Sequence, residues 1–486
     1  MKRLLLSAII IAGTVVTAAA QVRTAYFMEG TTYRSQFNPA FAPTMGYVNF
    51  PLVGLGGLNF NLDGTLSVND LLKKRPDGKL ATIFSSAFSQ KDAFSGLNKS
   101  NNSFNLNTNI NLIGFGAYAK NHKTFWSVDA NLHLEAAFDI PFDFFDFARN
   151  ISTNGKSSYD FSKFQLMTQA YMDVGFNYSM PVTDKLYVGA RAKFLVGLAR
   201  ANANITRFDL DLNENHWNVA AQAEMDLYLK GATVGRGGTI DDMKIDGIPV
   251  PSGYGFAVDL GATYNVLKNL QVSLAVNDIG FISWANRINF KTDEAGIDFS
   301  GMGIDIYKDE TGKVTTSTSG TDLSFDNLNL NASDIGKGGR ATSLRATINA
   351  GVEYDMWNHR VGFGLLYHAR VGLYKSSHNL TASVNYHPCY WFTLSPSYTF
   401  NNNSGGAVGL ALNLSPRGFN FFLATDLLLS KLAKPYFIPY KQDRMTFTLG
   451  MGFNIGRRGY RIAEYASKWQ QKEQNKLDKR AAKKRK

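Results

Sequence analysis

The 486-residue chain is 13% aromatic, with 35 Phe and 22 Tyr, but only 19% charged, against about 25% in a typical soluble protein, which excludes a disordered polypeptide. Its single cysteine, Cys389, excludes an intramolecular disulfide framework and a thiolate metal cluster. The formal charge of +12 resides at the two ends: Gly456–Lys486 carries 12 Lys/Arg against 3 Asp/Glu, Lys2 and Arg3 add two more, and the body between them is nearly neutral.

Residues 1–20 read as a signal peptide. Lys2 and Arg3 precede an apolar run from Leu4 to Val16, and Ala18-Ala19-Ala20 offers small residues for cleavage before Gln21. The run falls short of the ~20 residues of a membrane-spanning helix. The mature chain is therefore expected outside the cytoplasm, which removes nucleic acid as a partner.

From residue 44 to 455 the pattern has period two. Val128, Ala130, Leu132 and Leu134 alternate with Ser127, Asp129, Asn131, His133 and Glu135. The file from Leu186 to Leu198 faces away from Arg191 and Lys193, and that from Leu344 to Tyr354 faces away from Arg345, Asn349 and Glu353. Successive side chains on a strand point to opposite faces. A soluble sandwich or propeller also alternates. However, the segments run longer than ordinary strands, and several polar faces carry multiple charges. Tight turns (120–123, 182–184, 268–269, 358–360) alternate with long connections (64–103, 141–163, 287–341). Short turns on one rim and long loops on the other mark an outer-membrane barrel.

Fifteen candidate strands lie near 46–62, 104–119, 124–138, 166–180, 185–200, 216–229, 254–266, 269–283, 343–355, 360–374, 378–388, 391–401, 406–414, 418–428 and 443–455. Bacterial barrels use even numbers. Dropping one segment yields fourteen strands, whereas splitting 185–199 from 203–212 yields sixteen. The expected fold is all-β, an antiparallel transmembrane barrel of fourteen strands with sixteen as the alternative.

Asp129, Glu135, Asp173, Arg191, Lys193, Glu224, Asp226, Asp259, Arg345, Glu353, His368 and Arg370 all fall on the polar phase and are expected to line the lumen. They would either pack a narrow or plugged barrel as ion pairs or ring a permeation path. On 104–119, Asn105, Asn107, Asn109 and Asn111 give way to Ile113, Phe115 and Ala117 on the phase expected inside. That apolar patch would suit an amphipathic ligand or an N-terminal hatch. No nucleophile elbow, zinc-protease or phosphate-loop motif occurs. Asp211, Asn213 and Asn215 open like a calcium loop, but His216 and Gln222 stand where Gly and Glu are needed. No enzyme, metal or cofactor is expected.

The segment before the first strand reads Arg34-Ser35-Gln36-Phe37-Asn38-Pro39-Ala40-Phe41-Ala42-Pro43. This resembles the Asn-Pro-Ala segment that opens barrels of the FadL and PorV-like superfamily, and the chain resembles outer-membrane barrels of this kind in Bacteroidota. The resemblance implies fourteen strands, an N-terminal hatch over 21–43 held by Asn38, Pro39 and Ala40, and a channel or carrier for small hydrophobic or amphipathic molecules. A non-transporting scaffold for a secretion or assembly machinery is the alternative. Partners expected on these readings are outer-membrane lipid, a hydrophobic small molecule, and a periplasmic or secretion-machinery protein. Beyond Ile455 the alternation stops, and residues 456–486 form a basic tail expected in the periplasm, helical in propensity and suited to anionic surfaces.

Overall fold

The computed structural model describes residues 23–458 and 478, except 50–55, 67, 76–79, 86, 151–158, 214–215, 236–237, 239–242, 293–302, 309–313, 320–329, 337, 358, 373–375, 390, 402–404, 417, 427–431, 434–437 and 440–444. The expected signal peptide, and the expected tail apart from 456–458 and 478, lie outside the described residues.

The period-two segments fold as fourteen antiparallel strands. β1 (Met45–Asn49, resuming at Leu58–Gly64) is followed by β2 (Asn101–Tyr118), β3 (Phe125–Pro141), β4 (Gln165–Pro181) and β5 (Leu186–Asn213). β6 consists of His216–Tyr228 and Gly253–Leu267, and β7 of Leu270–Trp284 and Arg287–Thr292. β8 consists of Leu330–Ile335, Arg340–Ser343 and Ala346–Met356. β9 (Val361–Val371), β10 (Ser377–Cys389), β11 (Phe392–Asn401), β12 (Gly405–Leu414), β13 (Asn420–Thr425) and β14 (Met445–Arg458) complete the wall. β14 pairs with both stretches of β1, Phe453 opposite Val48 and Leu449 opposite Leu58. The ladder is thereby closed, as a membrane-spanning sheet requires.

The barrel has fourteen strands because the segments at 216–229 and 254–266 are one strand. Arg200 to Asn213 of β5 pairs with His216–Tyr228, and Leu186 to Gly197 pairs with Gly253 to Tyr264. Between the halves the chain makes a hairpin, Lys230–Val234 against Met243–Val250. The Ser252 N–H donates to the Gly197 carbonyl at 2.7 Å, returning the chain to line. The sixteen-strand alternative fails at the same place, since β5 runs unbroken for 28 residues. At about 3.3 Å per residue it far exceeds the 9–11 residues that cross a bilayer. Its upper half, with the upper stretches of β6, β7 and β8, forms a sheet extending past the wall.

Met45 and Arg458 lie on the rim of short turns. On the opposite rim, the loop after β1 packs against the helix Phe142–Asn150 through Leu66, Ile83, Ala93, Leu97 and Phe145. Side chains obey the alternation: Phe176 and Phe194 are 50% and 52% exposed on the outer surface, whereas Asp173 and Arg191 are 1% exposed inside.

One phase expectation is overturned. Asn111 pairs with Asn131 but Ile113 pairs with Ala130, so Leu112 is an extra residue in β2. A bulge of one residue reverses the facing of everything beyond it. Ile113 and Phe115 point outward, at 56% and 37% exposure. Gly114, Gly116 and Tyr118 take the buried positions instead. The apolar inner patch expected from Ile113, Phe115 and Ala117 is absent.

Candidate functional site

Residues 23–41 lie among the inward side chains of the wall. Phe37 ends a helical turn (Arg34–Phe37), and Asn38 is extended at φ −150° and ψ 117°, as a residue before proline must be. The Asn38 Oδ1 accepts the Ala40 N–H at 2.9 Å, and its Nδ2 donates to the Leu274 carbonyl at 3.3 Å. Asn38 and Ala40 are fully buried. Four wall asparagines donate to main-chain carbonyls of this segment. Asn420 reaches Gly30 at 2.6 Å, Asn277 and Asn349 each reach Phe37 at 2.9 Å, and Asn177 reaches Pro39 at 3.4 Å. His368 Nδ1, 2.7 Å from Asn349 Oδ1, orients that amide.

The segment also builds its own apolar core inside the lumen. Tyr26 packs edge-on against Phe27, Phe37 and Phe41 at ring separations of 5.0, 6.0 and 5.0 Å. Leu366, Ala411, Phe422 and Ala424 of the wall join them. Arg34 lies 4.1 Å over the Phe41 ring, a cation–π contact. Thr24 donates to Asp426 at 2.8 Å, and the Arg23 guanidinium is 4.0 Å from the same carboxylate.

Beside Gln36 lies a layer of buried charge, which brings together seven of the residues expected in the lumen. Arg191 pairs with Asp129, and Asn131 donates to Asp129 at 2.9 Å and to Asp173 at 3.2 Å. Asp173 also pairs with His133, whose ring stacks on Tyr171 at 4.6 Å. Lys193 bridges Asp259 and Asp278, each at 2.7 Å. Glu135 accepts from Asn107 at 2.8 Å and Gln169 at 2.7 Å, and Arg370 lies 3.7 Å away. A cavity of about 30 Å³ lies among Gln36, Asn109, His133, Asp173, Arg191, Lys193 and Arg370. That exceeds the ~10–15 Å³ needed to admit a water.

The remaining expected residues lie elsewhere. Glu224 and Asp226 are on the sheet extension, where Arg287 meets Asp226 at 2.5 Å and Lys291 approaches Glu224 at 3.6 Å. Glu353 accepts from Asn385 at 3.0 Å. Arg345 is buried at the break between Ser343 and Ala346. The side chains of Asp211, Asn213, Asn215 and His216 lie outside the described residues. Among the described residues no group of three or more His, Cys, Asp or Glu is arranged to hold a metal.

Sequence reasoning missed His133, Asp278 and the asparagine donors. Their inward phase was readable for His133 and Asn349, but Asp278 sits at a bulge. Val258 pairs with Ile279 and Leu260 with Val276, leaving Asp278 at φ 62° with its N–H on Asp259 at 2.7 Å. Above the layer, one sector of the inner wall is apolar: Tyr171, Leu195, Tyr228, Ala257, Ile282, Trp284 and Leu344 cluster there. Trp284 Nε1 donates to Thr342 at 2.9 Å.

A closed fourteen-strand barrel, apolar outside and occupied inside by its own N-terminal residues, is an outer-membrane-type β-barrel. The chain belongs to a family of unknown function, DUF5723, whose profile matches residues 39–426. No curated protein matches it. Among solved structures it is similar to the Pseudomonas putida toluene transporter TodX, at 11% identity over 91% of this chain and 96% of that one, with a TM-score of 0.36. A Pseudomonas aeruginosa FadL homologue matches at 9% identity over 90% and 99%, TM-score 0.41. The CymD monoaromatic hydrocarbon channel matches at 10% over 88% and 94%, TM-score 0.40.

Proposed function

We propose that this chain is an outer-membrane conduit for small hydrophobic or amphipathic molecules, closed at rest by residues 23–41 acting as a hatch. The supporting observation is the apolar sector around Trp284, set directly above a layer of buried charge and apart from the apolar patch that the N-terminal segment covers. An apolar solute gains about 25 cal/mol per Å² of surface removed from water, so this sector is where it would dwell before the hatch moves. Beside the seated segment lies a cavity of about 30 Å³ lined by polar and charged side chains. The test is uptake of a hydrophobic fluorescent probe and of a sugar into proteoliposomes. Probe uptake above that of empty vesicles, reduced by Trp284→Asp, is expected, with no sugar flux. Absence of probe uptake would remove the conduit.

A second reading, a non-transporting scaffold, is favoured by how completely the lumen is filled. It expects a stoichiometric protein partner and no flux. On either reading β14 takes up residues 456–458 of the expected tail, and the basic sequence beyond Arg458 is suited to an anionic surface in the periplasm.

A further inference from the structure

The seat of residues 23–41 has the chemistry of a polypeptide-binding site. Asn177, Asn277, Asn349 and Asn420 all address carbonyls of the main chain, not side chains. Donors placed in this way recognise a peptide backbone whatever its sequence. At four points where the segment lies against the wall, the wall residue is glycine. A Cβ on Gly189 would collide with the Pro39 carbonyl, and one on Gly261 would lie 2.9 Å from Pro39 Cδ. At Gly351 it would meet the Tyr26 ring at 2.8 Å, and at Gly364 the Phe27 ring at 2.5 Å. Glycine inside a strand is the residue that admits another backbone or ring at such range. The donors and the cut-outs come from seven strands, β4 to β9 and β13, and converge on one groove. The groove opens at the short-turn rim, where Tyr118 Oη donates to the Pro43 carbonyl at 2.6 Å as the segment leaves for β1.

We propose that the lumen is a binding site for an aromatic-bearing polypeptide segment, occupied in cis by residues 23–41 and open in trans to a like segment of another protein when these withdraw. Specificity comes from the aromatic side chains, which fill the space beside Leu366, Ala411 and Phe422. Affinity comes from the backbone donors. The proposal does not rest on what crosses the membrane.

The test uses a fluorescent synthetic peptide spanning residues 23–41 and a barrel emptied of its own segment. Emptying is done by deletion of 23–41 and, independently, by a protease site inserted between Phe41 and Ala42 and cut after assembly, so that a deletion that fails to fold leaves the second arm. Saturable anisotropy in detergent is expected, competed by unlabelled peptide. It should weaken about two- to tenfold with Asn277→Ala or Asn349→Ala and vanish with Gly261→Val. A peptide with Tyr26, Phe27, Tyr33 and Phe37 changed to Ser should not bind. An unrelated peptide keeping aromatics at those four positions should bind. No saturable binding to a cut and emptied barrel, or binding indifferent to both Asn277→Ala and Gly261→Val, overturns the proposal. Probe uptake without peptide binding sinks this proposal alone, and peptide binding without uptake sinks the conduit alone.

Discussion

Gly189→Val tests whether residues 23–41 close the lumen. A Cβ at this position would lie well inside 3.0 Å of the Pro39 carbonyl and of the Ala40 nitrogen, whereas ordinary contact begins at 3.4 Å. These are main-chain atoms that cannot rotate aside, so the segment itself must lift. Lifting Pro39 breaks the bond from Asn177, and those of the Asn38 amide to Ala262 and Leu274. At about 0.5–1.5 kcal/mol each the three together are worth about 1.5–4.5 kcal/mol. The ratio of unseated to seated segment should rise roughly 10- to 1,600-fold, at 1.4 kcal/mol per decade. Single-barrel conductance in planar bilayers and trypsin cleavage at Arg23 and Arg34 would report it. Ala190→Val, on the exposed outer face of the same strand, is the control and should behave as the parent chain. Equal conductance and equal protection of both arginines in Gly189→Val would refute the closure argument.

Lys193→Met leaves Asp259 and Asp278 without their shared cation. It should cost about 3–5 kcal/mol, read as a lower urea midpoint in a heat-modifiability gel, with Asp278→Asn recovering part of the loss. An unchanged midpoint would mean that the layer is solvated well enough to need no bridge. His359 sits in a short turn, where burial disfavours its charged form but the hydrogen bond and charge of Asp355 outweigh burial and hold its pKa above 6.5. The pair therefore stabilises the turn fully below pH 6.5 and loses that contribution as pH rises through the higher folded value. Histidine NMR should show the raised titration and its fall in Asp355→Asn, and a titration indifferent to that change would contradict the pairing. Removing Arg461 to Lys486 should leave a heat-modifiable barrel, because β14 already closes on Met45–Asn49. It should also weaken salt-sensitive binding to anionic vesicles, a force screened over ~8 Å at physiological ionic strength. Failure to assemble would place a folding signal in the tail.

Alternation along single segments determined which face of each strand is wet. Hence Asp129, Asp173, Arg191, Lys193, Asp259 and Arg370 were readable as inward residues, and the long and short connections as opposite rims. Asn-Pro before the first strand likewise marked where the chain must turn. Only the tertiary structure decided the rest. The extra residue at Leu112 sent Ile113 and Phe115 outward, and the bulge at Asp278 brought a carboxylate to Lys193 that no periodicity assigns. Residues 216–229 and 254–266 became one strand only because both pair along β5. Facing is a property of neighbours two residues apart, so it is written locally. Register and bulges are settled by hydrogen-bond partners in another strand, and the partner of a buried amide such as Asn277 or Asn349 by whatever main chain the closed barrel brings within 3 Å of it.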